Sequence, residues 1–190
     1  MQKRELRAQL RKDRELAFAP DSWLHILQAR EFLSAKIVAS YLSYGFEPQT
    51  KDLNETLLNT GKRVLLPRTL KSNEIEWVEW RGEENSLKRN GKVMEPTGEV
   101  YTDLHLIDIV IVPALRIDRA GNRIGQGGGS YDRALSRISG WKVGLVGALE
   151  ISGEPLPVEE HDQRVDAAAT PTVLVRIKPV PRITQGTQGA

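Results

Sequence analysis

Residues 121–133 read Gly121-Asn122-Arg123-Ile124-Gly125-Gln126-Gly127-Gly128-Gly129-Ser130-Tyr131-Asp132-Arg133. So many glycines let a backbone take positive φ and bring its N–H groups against a ligand with no Cβ between them. An apolar run at 106–112 precedes the segment, and a helix is predicted to follow it over about 130–138. A loop that ends on a helix N-terminus meets roughly half a positive charge there. Together these features make a cradle for an anion such as phosphate. Arg123, at the loop entrance, carries a planar fork that can hold phosphate oxygens in a bidentate manner.

Asp132 falls in the first turn of the predicted helix and has two readings. It complements the helix dipole, or it ligates a Mg²⁺ ion carried by the phosphates. The loop is not a Walker loop, because it lacks the Gly-Lys-Ser/Thr ending. Nor is it a dinucleotide fingerprint, because Ser130 stands where the third glycine would be.

Two further places carry chemistry. Lys3 and Arg7 are four residues apart on a predicted helix, so both can project from one face; they are also two among many charges there. Glu47 lies just past the first predicted strand, where open α/β sheets bind ligands beyond the carboxyl ends of their strands. A carboxylate at such a place can accept paired hydrogen bonds from amino and ring N–H groups; its plain alternative is a turn glutamate facing water.

The elements that must position these groups follow from periodicity. Residues 3–18 read as an amphipathic helix with Leu6, Leu10 and Phe18 roughly on one face, ended by Pro20. A second helix is predicted over about 22–33, a buried strand over 36–44, a short helix over 51–59 and a strand over 63–66. Residues 74–80 alternate enough for an edge strand, and 81–105 read as polar and turn-rich. The run Leu106-Ile107-Asp108-Ile109-Val110-Ile111-Val112 is the clearest strand, of the continuous apolar kind found in parallel sheets covered on both faces. Further strands are predicted over 141–148 and 172–177. Strands alternating with helices predict an α/β fold, a three-layer single domain over 1–178 with a mostly parallel central sheet flanked by helices. The 179–190 tail is too poor in apolar residues to pack and reads as flexible. The tryptophans at 23, 77, 80 and 141 read as packing residues.

Composition bounds the rest. Within 190 residues there are 27 basic and 25 acidic side chains, which leaves no strong electrostatic footprint for nucleic acid but room for a local basic patch that prefers anions. No cysteine is present, which excludes disulfides, thiolate zinc and a cysteine nucleophile. The N-terminus is charged throughout, and the 106–112 run is too short to span a bilayer. These features predict a cytoplasmic protein with no membrane partner; the chain is taken as a monomer, a state that composition does not fix.

The run IVPALRIDRAGNRIGQGGGSYDRAL resembles the signature of the 5-formyltetrahydrofolate cyclo-ligase family, approximately Val-Pro-Gly, a Phe-Asp pair, then Gly-x-Arg-Leu-Gly-x-Gly-x-Gly-Tyr-Tyr-Asp. Other landmarks agree in order: Lys3-Arg4-Glu5-Leu6-Arg7, Tyr41-Leu42-Ser43 with Glu47 and Thr50, Pro67-Arg68, Glu95-Pro96, and Leu156-Pro157 with His161-Asp162 and Val165-Asp166. The resemblance covers about residues 3–177. It implies ATP-dependent conversion of 5-formyltetrahydrofolate to 5,10-methenyltetrahydrofolate, with ADP and phosphate released through a phosphorylated formyl (iminium phosphate) intermediate.

The same resemblance implies roles for residues. Lys3, Arg4, Glu5, Leu6 and Arg7 would contact ATP, as would Arg123, Ile124, Gly125, Gln126, Gly127, Gly128, Gly129, Ser130 and Tyr131. Folate would be bound by Arg7, Leu42 and Glu47, with Glu47 anchoring the pterin, and by Gln126, Gly127, Gly128, Gly129 and Ser130. Arg7, Arg123 and Asp132 would be catalytic, and Asp132 with Asp162 would hold Mg²⁺. His161 would orient its loop, and Tyr131 would either meet the substrate or pack on the sheet. The chain departs from the pattern at Ser130, in place of the first tyrosine of a pair, at Arg116 and Ile117 before Asp118, and at Ala114. The alternative reading is therefore a non-catalytic or substrate-shifted nucleotide-binding relative.

Overall fold

The computed structural model describes residues 2–177. Helix α1 spans Lys3–Leu16, and Glu5 caps its start by accepting the Gln2 N–H at 3.3 Å. A 3₁₀ turn, Leu24–Gln28, and α2, Arg30–Ser34, stand where one helix over 22–33 was predicted. Ala29 separates them because its backbone is extended, at φ −69° and ψ 143°. Then come β1 Ile37–Ala39, α3 Lys51–Asn59, β2 Arg63–Thr69 and β3 Ile75–Trp80.

The predicted strand over 36–44 stops at Ala39. Beyond it, the Tyr41 carbonyl is taken by the Thr50 hydroxyl at 2.6 Å and the Asn54 amide at 2.9 Å, so the chain turns out of the sheet. The predicted loop over 81–105 contains a hairpin, β4 Leu87–Asn90 and β5 Val93–Pro96. Strand β6, Ile109–Pro113, leads to β7 Arg116–Asp118 and β8 Arg123–Ile124. Helix α4, Ser130–Leu135, is shorter than predicted; β9 Trp141–Leu145, β10 Ile151–Ser152, β11 Ala167–Ala169 and β12 Leu174–Arg176 complete the chain.

Seven strands form the central sheet in the order β12-β11-β9-β6-β1-β2-β3. Its five inner strands run parallel, and both edge strands are antiparallel. Alternate side chains feed two cores. Ile109 and Ile111 join Val38, Val64 and Leu66 on one face, under Ile26, Phe32, Leu53 and Leu57. Val110 and Val112 join Ile37, Ala39 and Leu65 on the other, under Ala134, Leu135 and Ile138. The predicted three-layer α/β architecture is therefore present. The tryptophans at 23, 77 and 80 are buried and Trp141 packs beside them, as predicted.

Helix α1 lies outside these layers, seated through Leu6 and Leu10 on Leu115, Ile124 and Leu156. Among the described residues no helix is long and apolar enough to cross a membrane. The tail predicted over 179–190 lies outside the described residues.

From β1 the sheet grows to β2 and β3 on one side, and to β6, β9 and β11 on the other. Strand order thus reverses between β1 and β6. In doubly wound sheets, such a reversal opens a crevice at the strand carboxyl ends.

Candidate active site

That crevice holds a cavity of about 390 Å³. Tyr41 and Leu42 after β1, Pro67 and Thr69 of β2, and Pro113 of β6 line it from the sheet side. Lys3 and Arg7 reach it from α1, residues 125–130 from the glycine-rich loop, and Val93 and Met94 from the β4–β5 hairpin. The hairpin is fixed by the buried Glu95, which accepts the Thr69 N–H and the Asn90 amide, each at 2.9 Å.

The loop is built from both ends. Asp118 holds the turn ahead of it, accepting the N–H groups of Ala120 and Asn122 at 2.9 Å each and that of Leu156 at 3.0 Å. Arg123 is buried, and its Nη2 donates to Asp132 Oδ1 at 2.7 Å across the far end of the loop. Burial lowers the Arg123 pKa from its usual value, and the Asp132 charge opposes that shift. Between these anchors, Gly127 and Gly129 take φ of 109° and 66°, which only glycine adopts without strain.

A Cβ on Gly127 would stand in ordinary contact with the Arg7 side chain at 3.4 Å, so the positive φ and not crowding favours glycine there. Arg7 Nε donates to the Gly125 carbonyl at 3.2 Å, and Arg11 Nη2 to the Gln126 carbonyl at 2.8 Å. The Gly125 and Gln126 carbonyls are thus turned to α1 and those of Gly128 and Gly129 to Arg133, while among the described residues no protein acceptor meets the N–H groups of residues 125–129. Helix α4 is under two turns long, so a helix dipole adds little at this end of the loop.

Glu47 is 6% exposed and lines the same cavity. Burial raises its carboxyl pKa, opposed by the Tyr44 N–H bonded to Oε2 at 3.2 Å, by Arg14 and by Gln126. Beside it the Tyr131 ring sits edge-on to Trp77, 6.4 Å between centroids, and its buried hydroxyl has no partner among the described residues. Both readings of Tyr131 thus fit: its ring packs, and its hydroxyl is left for a ligand. Burial likewise pushes that phenol well above its usual pKa.

At the mouth, Lys3 Nζ lies 2.5 Å from Asp162 Oδ2 and 3.3 Å from Glu159 Oε1. Burial raises the Asp162 pKa, but the Lys3 bond and the Glu159 N–H outweigh it and hold the group low. Ligand atoms of Glu159, His161 and Asp162 lie within 4.8 Å of one another. Carboxylate oxygens suit Mg²⁺, and the Lys3 ammonium already marks this as a place where positive charge is held. Asp132 is not a member of that group. Its Oδ1 is engaged by Arg123 and by the Gln163 N–H at 3.0 Å, although the residue does line the cavity.

Three kinds of group, bare amides, fixed cations and a buried carboxylate, therefore border one space. The sequence profile of the 5-formyltetrahydrofolate cyclo-ligase family matches residues 1–171. The chain belongs to this family of enzymes. A 5-formyltetrahydrofolate cyclo-ligase from Escherichia coli K12 is 34% identical over 144 residues, covering 73% of this chain and 79% of the relative. Another, from Mycolicibacterium smegmatis, is 31% identical over 147 residues, covering 73% and 75%. The NMR structure of Aquifex aeolicus 5,10-methenyltetrahydrofolate synthetase superposes with a TM-score of 0.80 at 26% identity, covering all of both chains.

Not every residue implied by the family pattern reaches the cavity. Lys3 and Arg7 line it; Arg4, Glu5 and Leu6 do not. Arg4 is exposed, Glu5 caps its own helix, and Leu6 packs on the small core below α1. A helix turns 100° per residue, so five consecutive side chains cannot share one face. Ile124 also points away, buried with Leu10, Leu115 and Leu156. The remaining loop residues, with Leu42, Glu47, Arg123, Tyr131, Asp132 and Asp162, all line the cavity. Tyr44, Thr69, Ile75, Val93, Met94 and Glu159 line it too and had not been singled out; His161, taken as orienting its loop, also borders the cavity.

Proposed function

We propose that the chain converts 5-formyltetrahydrofolate to 5,10-methenyltetrahydrofolate, cleaving ATP to ADP and phosphate. One observation carries the reading: the unpaired amides of residues 125–129 and the buried carboxylate of Glu47 border a single cavity. The amides, Lys3, Arg7 and Arg123 suit a triphosphate, and Glu47 with Leu42 suits a pterin that presents neighbouring N–H donors.

In this account the formyl oxygen attacks the γ-phosphorus and ADP leaves, giving an iminium phosphate. N10 then attacks the formyl carbon, loses its proton, and phosphate departs as the ring closes. Phosphoryl transfer of this kind needs alignment and charge neutralisation more than a protein nucleophile. Arg123, locked by Asp132, offers fixed donors that need no rearrangement as charge builds. Arg7, braced on Gly125, sits between the loop and the substrate side. Asp162, with Glu159 and His161 adjoining, would hold Mg²⁺, and Asp132, whose Oδ1 is taken by Arg123, would reach it only through its other oxygen; the ion would supply neutralisation of the triphosphate. The chain is read as a monomer acting in the cytoplasm on two small molecules.

Incubation with 5-formyltetrahydrofolate and Mg-ATP tests the reading. The near-ultraviolet absorbance of methenyltetrahydrofolate should grow in step with ADP. Flat absorbance with ATP still bound would favour the substrate-shifted or non-catalytic reading, for which Ser130 is the residue to revert to tyrosine.

A further inference from the structure

Four cations descend one side of α1 at positions 3, 7, 11 and 14. The first three meet the ligand-side loops; the fourth does something else. Arg14 is buried at 8% exposure, rare for arginine without a partner. Its Nε donates to Glu150 Oε1 at 2.7 Å, its Nη2 bonds Glu150 Oε2, and Nη2 also reaches the Ala114 carbonyl at 2.5 Å. Glu150 in turn accepts the Gly147 N–H at 2.5 Å. Arg14 therefore rivets α1 to the end of β6, next to Pro113 in the cavity lining.

The same side chain stands behind Glu47. Two hollows adjoin the main cavity, and each is lined by both Arg14 and Glu47. Around these three spaces α1 contributes Lys3, Arg7, Arg11, Asp13 and Glu15 besides Arg14, and the β4–β5 hairpin contributes Arg89 and Lys92. Tyr41, Tyr44 and Asp21 face them from the chain around β1, and Arg116 and Glu150 from the chain around β7 and β10. Arg123, Tyr131 and Asp132 face them from the glycine-rich segment, with Glu159, His161 and Asp162 at the mouth.

Arg14 is paired with Glu150 and most of the other charges are paired or screened as well; what sets Arg14 apart is that it lines both hollows beside Glu47. Lys3 and Arg123 are paired with Asp162 and Asp132, and Arg7 and Arg11 with the loop. Arg89 and Lys92 are exposed, where solvent screens them.

We propose that Arg14, clasped by Glu150, is a positioning residue of the folate site: it pins α1 to β6 and stands as the fixed cation behind Glu47. The inference rests on reading Glu47 as the pterin anchor. Of the cations nearby, Arg14 is the one whose attraction opposes the burial of Glu47. A protonated Glu47 would lose one of its two acceptor oxygens to an O–H donor, and with it the match to paired N–H groups.

Titration of ligand-free protein carrying ¹³C-labelled glutamate, with Glu47 assigned through Glu47→Gln, separates this role from plain scaffolding. Arg14→Met should raise the Glu47 midpoint by about one pH unit, and Arg14→Lys should restore most of it. Glu150→Gln should move it the other way, because Arg14 then loses its counter-charge. A general loosening of α1 would shift both variants alike, and that result, or an unmoved midpoint in Arg14→Met, overturns the proposal. If Arg14→Met does not fold, the downward shift in Glu150→Gln decides.

Turnover assays report on the underlying reading. In Arg14→Met the KM for 5-formyltetrahydrofolate should climb on acidification from about one pH unit higher than in the native chain, with kcat changed less than about threefold. A moved titration with an indifferent KM would leave Arg14 acting on Glu47 but remove Glu47 from the pterin.

Discussion

Arg123 and Asp132, nine residues apart, are joined at 2.7 Å and close the glycine-rich loop as a staple closes a sheaf. Arg123 is buried and Asp132 largely so, which leaves little water to stand in for a lost partner. Removing one partner of such a pair costs about 3–5 kcal/mol, because the other is left uncompensated. Arg123→Ala should lower Tm accordingly and abolish turnover. Asp132→Asn should retain the fold better, yet cut kcat by about a hundredfold or more as the guanidinium loses its alignment. Native turnover in Asp132→Ala would contradict the role given to this carboxylate.

Glu47 offers a test in which stability and function move apart. Its carboxyl pKa is raised in the fold by burial, so the native state holds that proton more tightly than the unfolded chain does. The sign follows: burying the ionised group costs stability at neutral pH, and this cost disappears as pH falls through the raised folded value. Glu47→Gln should therefore leave Tm at pH 7 unchanged or higher. It should also raise the KM for 5-formyltetrahydrofolate by about tenfold or more, one lost charge-assisted bond. A fall in Tm with an unaltered KM would mark Glu47 as structural.

The Tyr131 hydroxyl is buried with no partner among the described residues. Deleting an unsatisfied polar group relieves a desolvation penalty, so Tyr131→Phe should be as stable as the native chain or about 1 kcal/mol more so. If the hydroxyl bonds a ligand, the same variant loses about 1 kcal/mol of binding, roughly a fivefold change in one substrate's KM. Unchanged kinetics for both substrates would assign Tyr131 to packing against Trp77.

Lys3 is shared between the acidic group at the cavity mouth and, in the proposed cycle, the triphosphate. Lys3→Met should raise the KM for ATP about tenfold, with a much smaller effect on folate. Equal increases for both substrates would indicate a displaced α1 instead of a lost phosphate contact.

Much of this arrangement was legible in the chain. The glycine run, Arg123 and Asp132 announce a cradle, and the spacing of Lys3 and Arg7 places both on one helix face. That same spacing excludes Arg4, Glu5 and Leu6, a distinction that motif resemblance does not carry because a motif has no direction. Strand β11 is Ala167-Ala168-Ala169, three residues with no strand preference, held as a strand by its pairing with β9 and β12 on either side. The β4 sequence Leu87-Lys88-Arg89-Asn90 shows no alternation, so the hairpin that brings Val93 and Met94 to the site left no periodic trace. Arg14 looks in sequence like another solvated charge; only its partner at Glu150, 136 residues away, distinguishes it.

The account stands on loop amides gripping a triphosphate beside Glu47. Backbone amide shifts of ¹⁵N-labelled protein, followed as a non-hydrolysable ATP analogue with Mg²⁺ is added, read that contact directly. The largest changes should fall on Gly125, Gln126, Gly127, Gly128 and Gly129, and 5-formyltetrahydrofolate added next should move Tyr44 and Glu47. Saturable binding that leaves those five amides unmoved would contradict it.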